Sequence, residues 1–93
     1  MEYQWDANKA RSNLQKHGID FADAVGVFED EWAFALEEQE VADEPRFVTL
    51  GMDFLGRILV VIATYREDDI RLISARAATP RERKFYEQRR IRF

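Results

Sequence analysis

The residues best suited to chemistry lie in one stretch near the C-terminus, residues 70–86, which reads IRLISARAATPRERKFY. Its first part is mostly apolar and contains Arg71, Ser74 and Arg76, as in a strand that directs polar groups out of a sheet. A guanidinium suits phosphate because its planar fork donates two hydrogen bonds and stays charged. Arg76 is therefore the first candidate for binding a phosphate. The alternative is an arginine at a strand end that pairs with a carboxylate such as Glu82.

The spacing of Arg71, Ser74 and Arg76 predicts which of them share a face of the sheet and can line one site. Arg71 and Arg76 are an odd number of residues apart, so on a regular strand they face opposite sides of the sheet, while Ser74 shares the side of Arg76. Both arginines can line one site only if a β-bulge intervenes or if one reaches around an edge. Arg71 therefore ranks below Arg76.

The second part of the stretch predicts a helix. Thr79 is a good N-cap, Pro80 suits the first helical position, and Glu82 completes a capping box. Tyr86 lies one turn after Glu82 on the same helix face. It is predicted either to contact a ligand, by stacking or by proton transfer, or to anchor the helix in the core. The basic residues around this helix would add sequence-independent affinity for a polyanion. They are Arg81, Arg83, Lys84, Arg89, Arg90 and Arg92.

The single histidine of the chain, His17, is the second candidate for chemistry. Its side chain is the one whose ordinary pKa lies near neutrality, so it can act as a general base or acid. The alternative is that it interacts with the negative end of a helix dipole, since Gly18 is placed to end a helix there. Lys16, beside it, is either a phosphate contact or a solvated side chain.

Composition indicates one globular domain over residues 1–93, with no cysteine for a disulfide or a thiolate metal site. The longest apolar run, residues 58–63, is too short to cross a bilayer, and the N-terminus lacks the pattern of a signal peptide. We therefore expect a cytoplasmic protein without membrane contact.

The net charge of -4 hides a strong asymmetry along the chain. Residues 20–44 contain ten acidic residues and no basic one, whereas residues 70–93 contain eight basic and two acidic residues. This pattern predicts one surface that attracts polyanions and another that repels them or meets a basic partner. The alternative is an acidic face and a basic tail that are only solvated.

Hydrophobic periodicity predicts an α+β fold with the order β-α-α-β-β-β-β-α, with helices packed on a mainly antiparallel sheet. Residues 58–62 are apolar on both faces, which indicates a central strand. The acidic residues 37–44 are predicted to form a loop. The predicted elements are an edge strand at residues 2–5, a helix over ANKARSNLQKH capped by Asp6, a second helix after Asp20 with the buried stripe Phe21, Ala24, Val25 and Phe28, strands at residues 32–36, 46–52, 57–65 and 70–78, and the helix after Thr79.

Many of these residues together resemble the BrnT family of bacterial type II toxin–antitoxin systems. Those that carry the resemblance are Trp5, Asp6, Lys9, Asn13, residues 16–19, Phe21, Ala24, residues 44–46, Gly51, Ile70, Arg71, residues 73–76, Thr79, Glu82 and Tyr86. The resemblance implies a RelE-like fold and an endoribonuclease toxin of the mRNA interferase type. It also implies neutralisation by a BrnA-like ribbon-helix-helix antitoxin in a heterotetramer, with DNA contacted only through the antitoxin. Many relatives carry a second basic residue where this chain has Ala77.

A ribonuclease without a metal makes the 2'-hydroxyl of the RNA attack the adjacent phosphate. It needs a general base, cationic donors on the phosphate oxygens and a proton for the leaving oxygen. One histidine excludes a scheme with two histidines, and the chain has no motif for a metal or nucleotide cofactor, so none is expected. The predicted catalytic residues are Arg76, His17 and Tyr86. The predicted RNA contacts are Lys16, Arg71, Ser74, Arg81 and Lys84. The alternatives are a non-enzymatic nucleic-acid-binding module and a protein-interaction domain.

Overall fold

The computed structural model describes residues 1–41 and 44–91 and has an α+β architecture built on a five-stranded mixed sheet. The elements are β1 (Tyr3–Gln4), α1 (Ala7–His17), α2 (Phe21–Ala24), α3 (Gly26–Glu29), β2 (Phe34–Val41), β3 (Glu44–Met52), β4 (Ile58–Arg66), β5 (Asp69–Ala77) and α4 (Pro80–Ile91). The strand order is β1-β5-β4-β3-β2, with β1 parallel to β5 and the other neighbours antiparallel. The predicted fold class and the central position of β4 are confirmed. Within the described ranges, no helix is long and apolar enough to cross a membrane.

Helices cover both faces of the sheet, and β4 contributes to both cores. On one face Phe21 and Val27 pack with Val61 and its neighbours in a first core. On the other face Tyr86 of α4 packs with Val60 in a second core. Alternate residues of a strand point to opposite faces, so a strand that is apolar at every position can serve two layers.

The ends of α1 follow the prediction from sequence. The Asp6 side chain caps the helix by accepting hydrogen bonds from the backbone N–H groups of Asn8 and Lys9, at 2.7 and 3.2 Å. Gly18 has a φ of 71°, and its N–H donates to the carbonyl oxygen of Leu14 at 2.9 Å. A left-handed residue ends the helix here, and glycine adopts that conformation without steric cost.

The second helix is not continuous, which corrects the sequence prediction. It is divided into α2 and α3 at Val25. The turn after β3 packs against this point: the N–H of Phe54 donates to the carbonyl oxygen of Asp23 at 3.2 Å. A Cβ added to Gly26 would lie 2.4 Å from the nitrogen of Phe54, so a glycine is required for this approach. The Asp23 carbonyl thus bonds to a distant turn, and the helical ladder is interrupted.

The acidic segment is mostly strand, which is a second correction. The prediction was a loop over residues 37–44, but β2 continues to Val41 and β3 already begins at Glu44. Glu37 pairs with Val48 and Glu38 pairs with Phe47 across the two strands. Since β2 is an edge strand, its backbone can pair on one side while acidic side chains remain in water. Residues 42 and 43 of the predicted loop lie outside the described residues.

Candidate active site

A β-bulge in β5 decides which polar side chains share a face. Ser74 pairs with Ile62, but Leu72 already pairs with Ala63, so Ile73 is an extra residue. Leu72 and Ala75, three residues apart, are both in the first core, which agrees with this shift. A single extra residue reverses the alternation of side chains beyond it.

The bulge places Arg71, Ser74 and Arg76 on the same face of the sheet. Their partners on β4 are Thr64, Ile62 and Val60, which alternate along that strand. The odd spacing that separates the two arginines on a regular strand therefore does not separate them here. They still lie far apart, since five residues of strand span about 16 Å. Arg71 pairs with Gln4 of β1, at the opposite end of β5 from Arg76.

A groove between α1 and β5 gathers most of the remaining candidates. Its cavity has a volume of about 220 Å³. The lining residues are Lys9, Ser12, Asn13, Lys16, His17, Ile73 and Ser74. On α1 these residues recur at three- and four-residue intervals, so they form one stripe of the helix. The groove brings Lys16, His17 and Ser74 together, but Arg76 and Tyr86, the other two predicted catalytic residues, do not line it. We call it the α1–β5 groove.

Four of the groove residues were not predicted as site residues from sequence: Ile73 on β5 and three residues of α1. Lys9, Ser12 and Asn13 lie on the same stripe of α1 as Lys16 and His17. Their helical spacing relative to His17 was visible in the sequence and is the signal that could have identified them. The sequence did not show that β5 would pack beside this stripe.

Asn13 joins α1 to β5 through a buried side-chain amide. Its Nδ2 donates to the carbonyl oxygens of Ala75 and Ile19, at 2.8 and 3.0 Å. Its Oδ1 accepts from the N–H of Ala75 at 3.1 Å. Ala75 follows Ser74, so the contact holds α1 against the part of β5 that lines the groove.

Arg76 forms a two-pronged ion pair with Glu82 at the start of α4. Nη1 and Nη2 of Arg76 donate to Oε1 and Oε2 of Glu82 at 2.8 and 3.0 Å. The capping box is also formed, since Oε1 of Glu82 accepts from the N–H of Thr79 at 2.9 Å and the N–H of Glu82 donates to Oγ1 of Thr79 at 3.2 Å. The hydrogen bonds from Arg76 lower the pKa of Glu82 to about 2, and those to Glu82 raise the pKa of Arg76. The Glu82 carboxylate and the Arg76 guanidinium are therefore both charged at neutral pH.

The ion pair leaves Arg76 open to a further anion. Its side chain is 41% exposed, against 23% for Glu82. Nη1 also donates to the carbonyl oxygen of Ala77 at 3.3 Å. A guanidinium has five N–H groups, and among the contacts of the described residues the N–H on Nε and one on Nη2 remain for another acceptor.

Tyr86 is placed in the second core and not in the α1–β5 groove. The residue is 1% exposed, and its hydroxyl donates to Oδ2 of Asp30 at 2.6 Å. Burial and this hydrogen bond raise the pKa of Tyr86. The same Oδ2 accepts from the N–H of Met52 at 2.8 Å. Tyr86 thus attaches α4 to β3 and to the segment after α3, away from the residues that line the groove.

The exposed face of α4 carries the other predicted contacts and one aromatic residue. Arg81 and Lys84 are both exposed. Phe85 is 60% exposed and lies against Phe34 of β2, with 5.5 Å between ring centroids. The guanidinium of Arg89 lies 5.0 Å from the centroid of the Phe34 ring. The surface aromatic of this helix is therefore Phe85, next to the tyrosine that the sequence analysis chose.

The structure thus combines a mixed sheet between helices with a groove that contains two lysines and the histidine, and with an arginine–glutamate pair further along β5. The profile of the family described as ribonuclease toxin, BrnT, of type II toxin–antitoxin systems matches residues 5–82. The chain therefore belongs to the BrnT family of ribonuclease toxins. The matched range includes the α1–β5 groove, Arg76 and Glu82, and it ends before Lys84 and Tyr86.

A solved structure agrees with this assignment. The crystal structure of the Brucella abortus ribonuclease toxin BrnT is similar, with a TM-score of 0.64 and 29% sequence identity. The match covers 85% of this chain and 97% of the other. No curated protein sequence matches the chain significantly. The resemblance inferred from the sequence is confirmed by the family profile and by this structure.

Proposed function

We propose that this toxin cleaves messenger RNA without a metal ion, at a site formed by the α1–β5 groove and Arg76. The observation that carries the proposal is that the groove lined by Lys9, Lys16 and His17 reaches Ser74, two residues before Arg76 on β5. Ser74 lines the groove, and Arg76 follows it on the same strand face. Two residues of strand span about 7 Å, which is close to the separation of neighbouring phosphates along an RNA strand.

The residues of the groove take separate parts in the reaction. Lys9, Lys16 and Ser74 contact the phosphates next to the cleaved one, which positions the RNA but does not specify its sequence. His17 transfers a proton, either from the attacking 2'-hydroxyl or to the leaving 5'-oxygen. Arg76 donates to the phosphate oxygens as negative charge builds up on them.

Tyr86 needs a different role from the one predicted from sequence. The hydroxyl is held by Asp30 in the second core, so we assign Tyr86 to the support of α4. Arg81 and Lys84 on the outer face of that helix add affinity for the RNA backbone, and Arg71 reaches a more distant phosphate on the same face.

The partner follows from the family. A toxin of a type II pair is held inactive by an antitoxin protein, and we propose a BrnA-like ribbon-helix-helix protein in a heterotetramer, through which DNA is contacted. The acidic residues of β2 and the basic α4 surface provide two regions of opposite charge for that contact. We place the toxin in the cytoplasm, because messenger RNA and the antitoxin are both present there.

The test is RNA cleavage by the purified protein in EDTA. We expect Arg76→Ala to lower the cleavage rate by about 10²- to 10³-fold, because it removes the donors to the charged phosphate. The free energy of unfolding should fall by only about 1 kcal/mol, since the ion pair is partly exposed. Arg83→Ala is the matched control, because Arg83 pairs with Glu87 at 3.8 Å on the outer face of α4.

The same assay distinguishes the other functions. Equal cleavage by Arg76→Ala and by the wild type contradicts the assignment of Arg76. Retention of RNA that weakens with salt, without cleavage by the wild type, indicates a non-enzymatic RNA-binding module. No binding of RNA at all indicates a protein-interaction domain.

A further inference from the structure

The side chain of Asn13 is unusual among its neighbours on α1. Ser12 and Leu14 are exposed, whereas Asn13 is 6% exposed and makes three hydrogen bonds to backbone groups. Both hydrogens of its amide nitrogen are used. A buried polar group without partners costs free energy, so such a complete set of bonds indicates a site where this one side chain is required.

Asn13 takes the place of a neighbouring strand at the outer edge of β5. Within the described residues β1 pairs with Ile70 and Arg71 only, and the edge of β5 beyond them has no strand beside it. The carboxamide of Asn13 pairs with both the N–H and the carbonyl oxygen of Ala75. A carboxamide has the donor and acceptor of a peptide group, so it can continue the ladder where the strand ends. The helix is thereby held at a hydrogen-bond distance from the strand.

The position of this contact matters for the site. On α1, Asn13 lies four residues after Lys9 and four before His17, so it occupies the middle of the stripe that lines the groove. On β5 its partner is Ala75, which lies between Ser74 and Arg76. The Asn13 side chain therefore connects the middle of the α1 stripe to the segment of β5 that carries Ser74 and Arg76.

We infer that Asn13 is a positioning residue, which sets the separation between the proton-transferring group His17 and the phosphate-binding group Arg76. The inference rests on the proposed function. Asn13 touches neither RNA nor the reacting atoms in this scheme. Its effect on the reaction comes through geometry, because a misplacement of about 1 Å between reacting groups can cost about 10²-fold in rate.

The alternative is that Asn13 has only a structural role. Its hydrogen bond to the carbonyl oxygen of Ile19 holds the segment after α1 against the helix. The test therefore compares Asn13→Ala with Val27→Ala. Val27 is fully buried in the first core, on α3, and it does not line the groove. Each variant is assayed at a temperature where circular dichroism shows it to be folded, so that a loss of stability alone does not change the rate.

For Asn13→Ala we expect kcat to fall by about 10²-fold while the Kd for RNA changes by less than about threefold. Val27→Ala should change neither by more than about twofold. Equal kcat in the two variants overturns the inference, and so does a fall confined to the Kd.

A second measurement does not depend on cleavage. In ¹H–¹⁵N spectra of the free protein, Asn13→Ala should shift both the imidazole signals of His17 and the Nε–H signal of Arg76, and Val27→Ala should shift neither. If neither signal moves in Asn13→Ala, the inference fails even when the protein cleaves RNA. If both move but the wild type cleaves no RNA, the positioning role stands and the proposed function fails.

Discussion

In the site that we propose, the Glu82 carboxylate occupies the fork of Arg76 that would bind a phosphate. A substrate that uses the fork of Arg76 must therefore compete with Glu82. The variant Glu82→Gln removes one negative charge from this competitor. It leaves the start of α4 intact, because glutamine can also complete the capping box with Thr79.

The lowered pKa of Glu82 sets an upper limit on the strength of the pair. Its pKa is lowered from 4.5 to about 2, chiefly by the hydrogen bonds from Arg76. Full conversion of that shift gives about 3 kcal/mol. Since Arg76 is 41% exposed, water screens the pair, and we take about 1 kcal/mol as its net contribution.

The sign of the pH dependence can be worked out from this shift. A lowered carboxyl pKa means that the folded state holds its proton less tightly than the unfolded state. The contribution is therefore complete above pH 4.5 and is lost as the pH falls from 4.5 towards 2. In Glu82→Gln the free energy of unfolding at pH 7 should be about 1 kcal/mol lower, and this part of the acid sensitivity should be absent. Urea unfolding at several pH values measures both.

The ion pair should weaken RNA binding by the same free energy that it contributes to folding, because a phosphate must displace Glu82 from Arg76. If a phosphate no longer has to replace a carboxylate, about 1 kcal/mol is regained, which is about a fivefold tighter Kd. The assay is fluorescence anisotropy with a 2'-O-methyl RNA oligonucleotide, which lacks the attacking hydroxyl. Glu87→Gln is the control, since it makes the same charge change on the same helix, and its pair with Arg83 is more than half exposed.

Three results would refute the competition. If Glu82→Gln and Glu87→Gln tighten binding equally, the gain comes from net charge and not from the release of Arg76. If Glu82→Gln weakens binding, Glu82 assists the contact with RNA. A loss of stability without any gain in affinity would likewise separate the ion pair from the phosphate site.

Two further predictions concern the other candidate residues. For His17→Gln, RNA should still bind while cleavage becomes about 10²-fold slower, because proton transfer is lost; unchanged cleavage would leave His17 with the role of a helix terminus. For Tyr86→Phe, the free energy of unfolding in urea should fall by about 2 kcal/mol, because a hydrogen bond to the carboxylate of Asp30 is removed. Its cleavage rate at a temperature where it is folded should stay within about twofold of the wild type, and a large loss would return Tyr86 to the catalytic residues.

Local signals in the sequence predicted the helix ends well. The caps at Asp6 and at Thr79 with Glu82 involve residues within three positions of each other, so their geometry is contained in a short segment. The central strand β4 was equally visible, because a run that is apolar on both faces can be satisfied only between two layers.

The errors arose where distant segments meet. The break between α2 and α3 depends on the turn at Phe54, which packs on Gly26 from far along the chain. The acidic residues of β2 have low strand propensity, but pairing with β3 decided their structure. In both cases a tertiary contact outweighed the local preference.

The site was predictable in its residue types and less so in its arrangement. The basic strand and the solitary histidine identified Arg76 and His17 as candidates. The spacing on α1 was sufficient to find Lys9, but nothing in it showed that β5 would lie alongside. The sequence left open whether Tyr86 contacts a ligand or anchors the helix, because the inward side of α4 is set by the second core.

Because Ile73 is an extra residue in β5, the side chains of Arg71 and Arg76 share a face although they are an odd number of residues apart. With Ile73 present, an odd separation gives the same orientation; without it, an even one would be needed. Deleting Ile73 would remove the bulge and leave Arg71 and Arg76 four residues apart on the same face of the strand. A one-residue deletion elsewhere between them that kept the bulge would turn Arg71 to the opposite face, while leaving composition and charge almost unchanged. The count of residues, and not their identity alone, carries information about where this protein is basic.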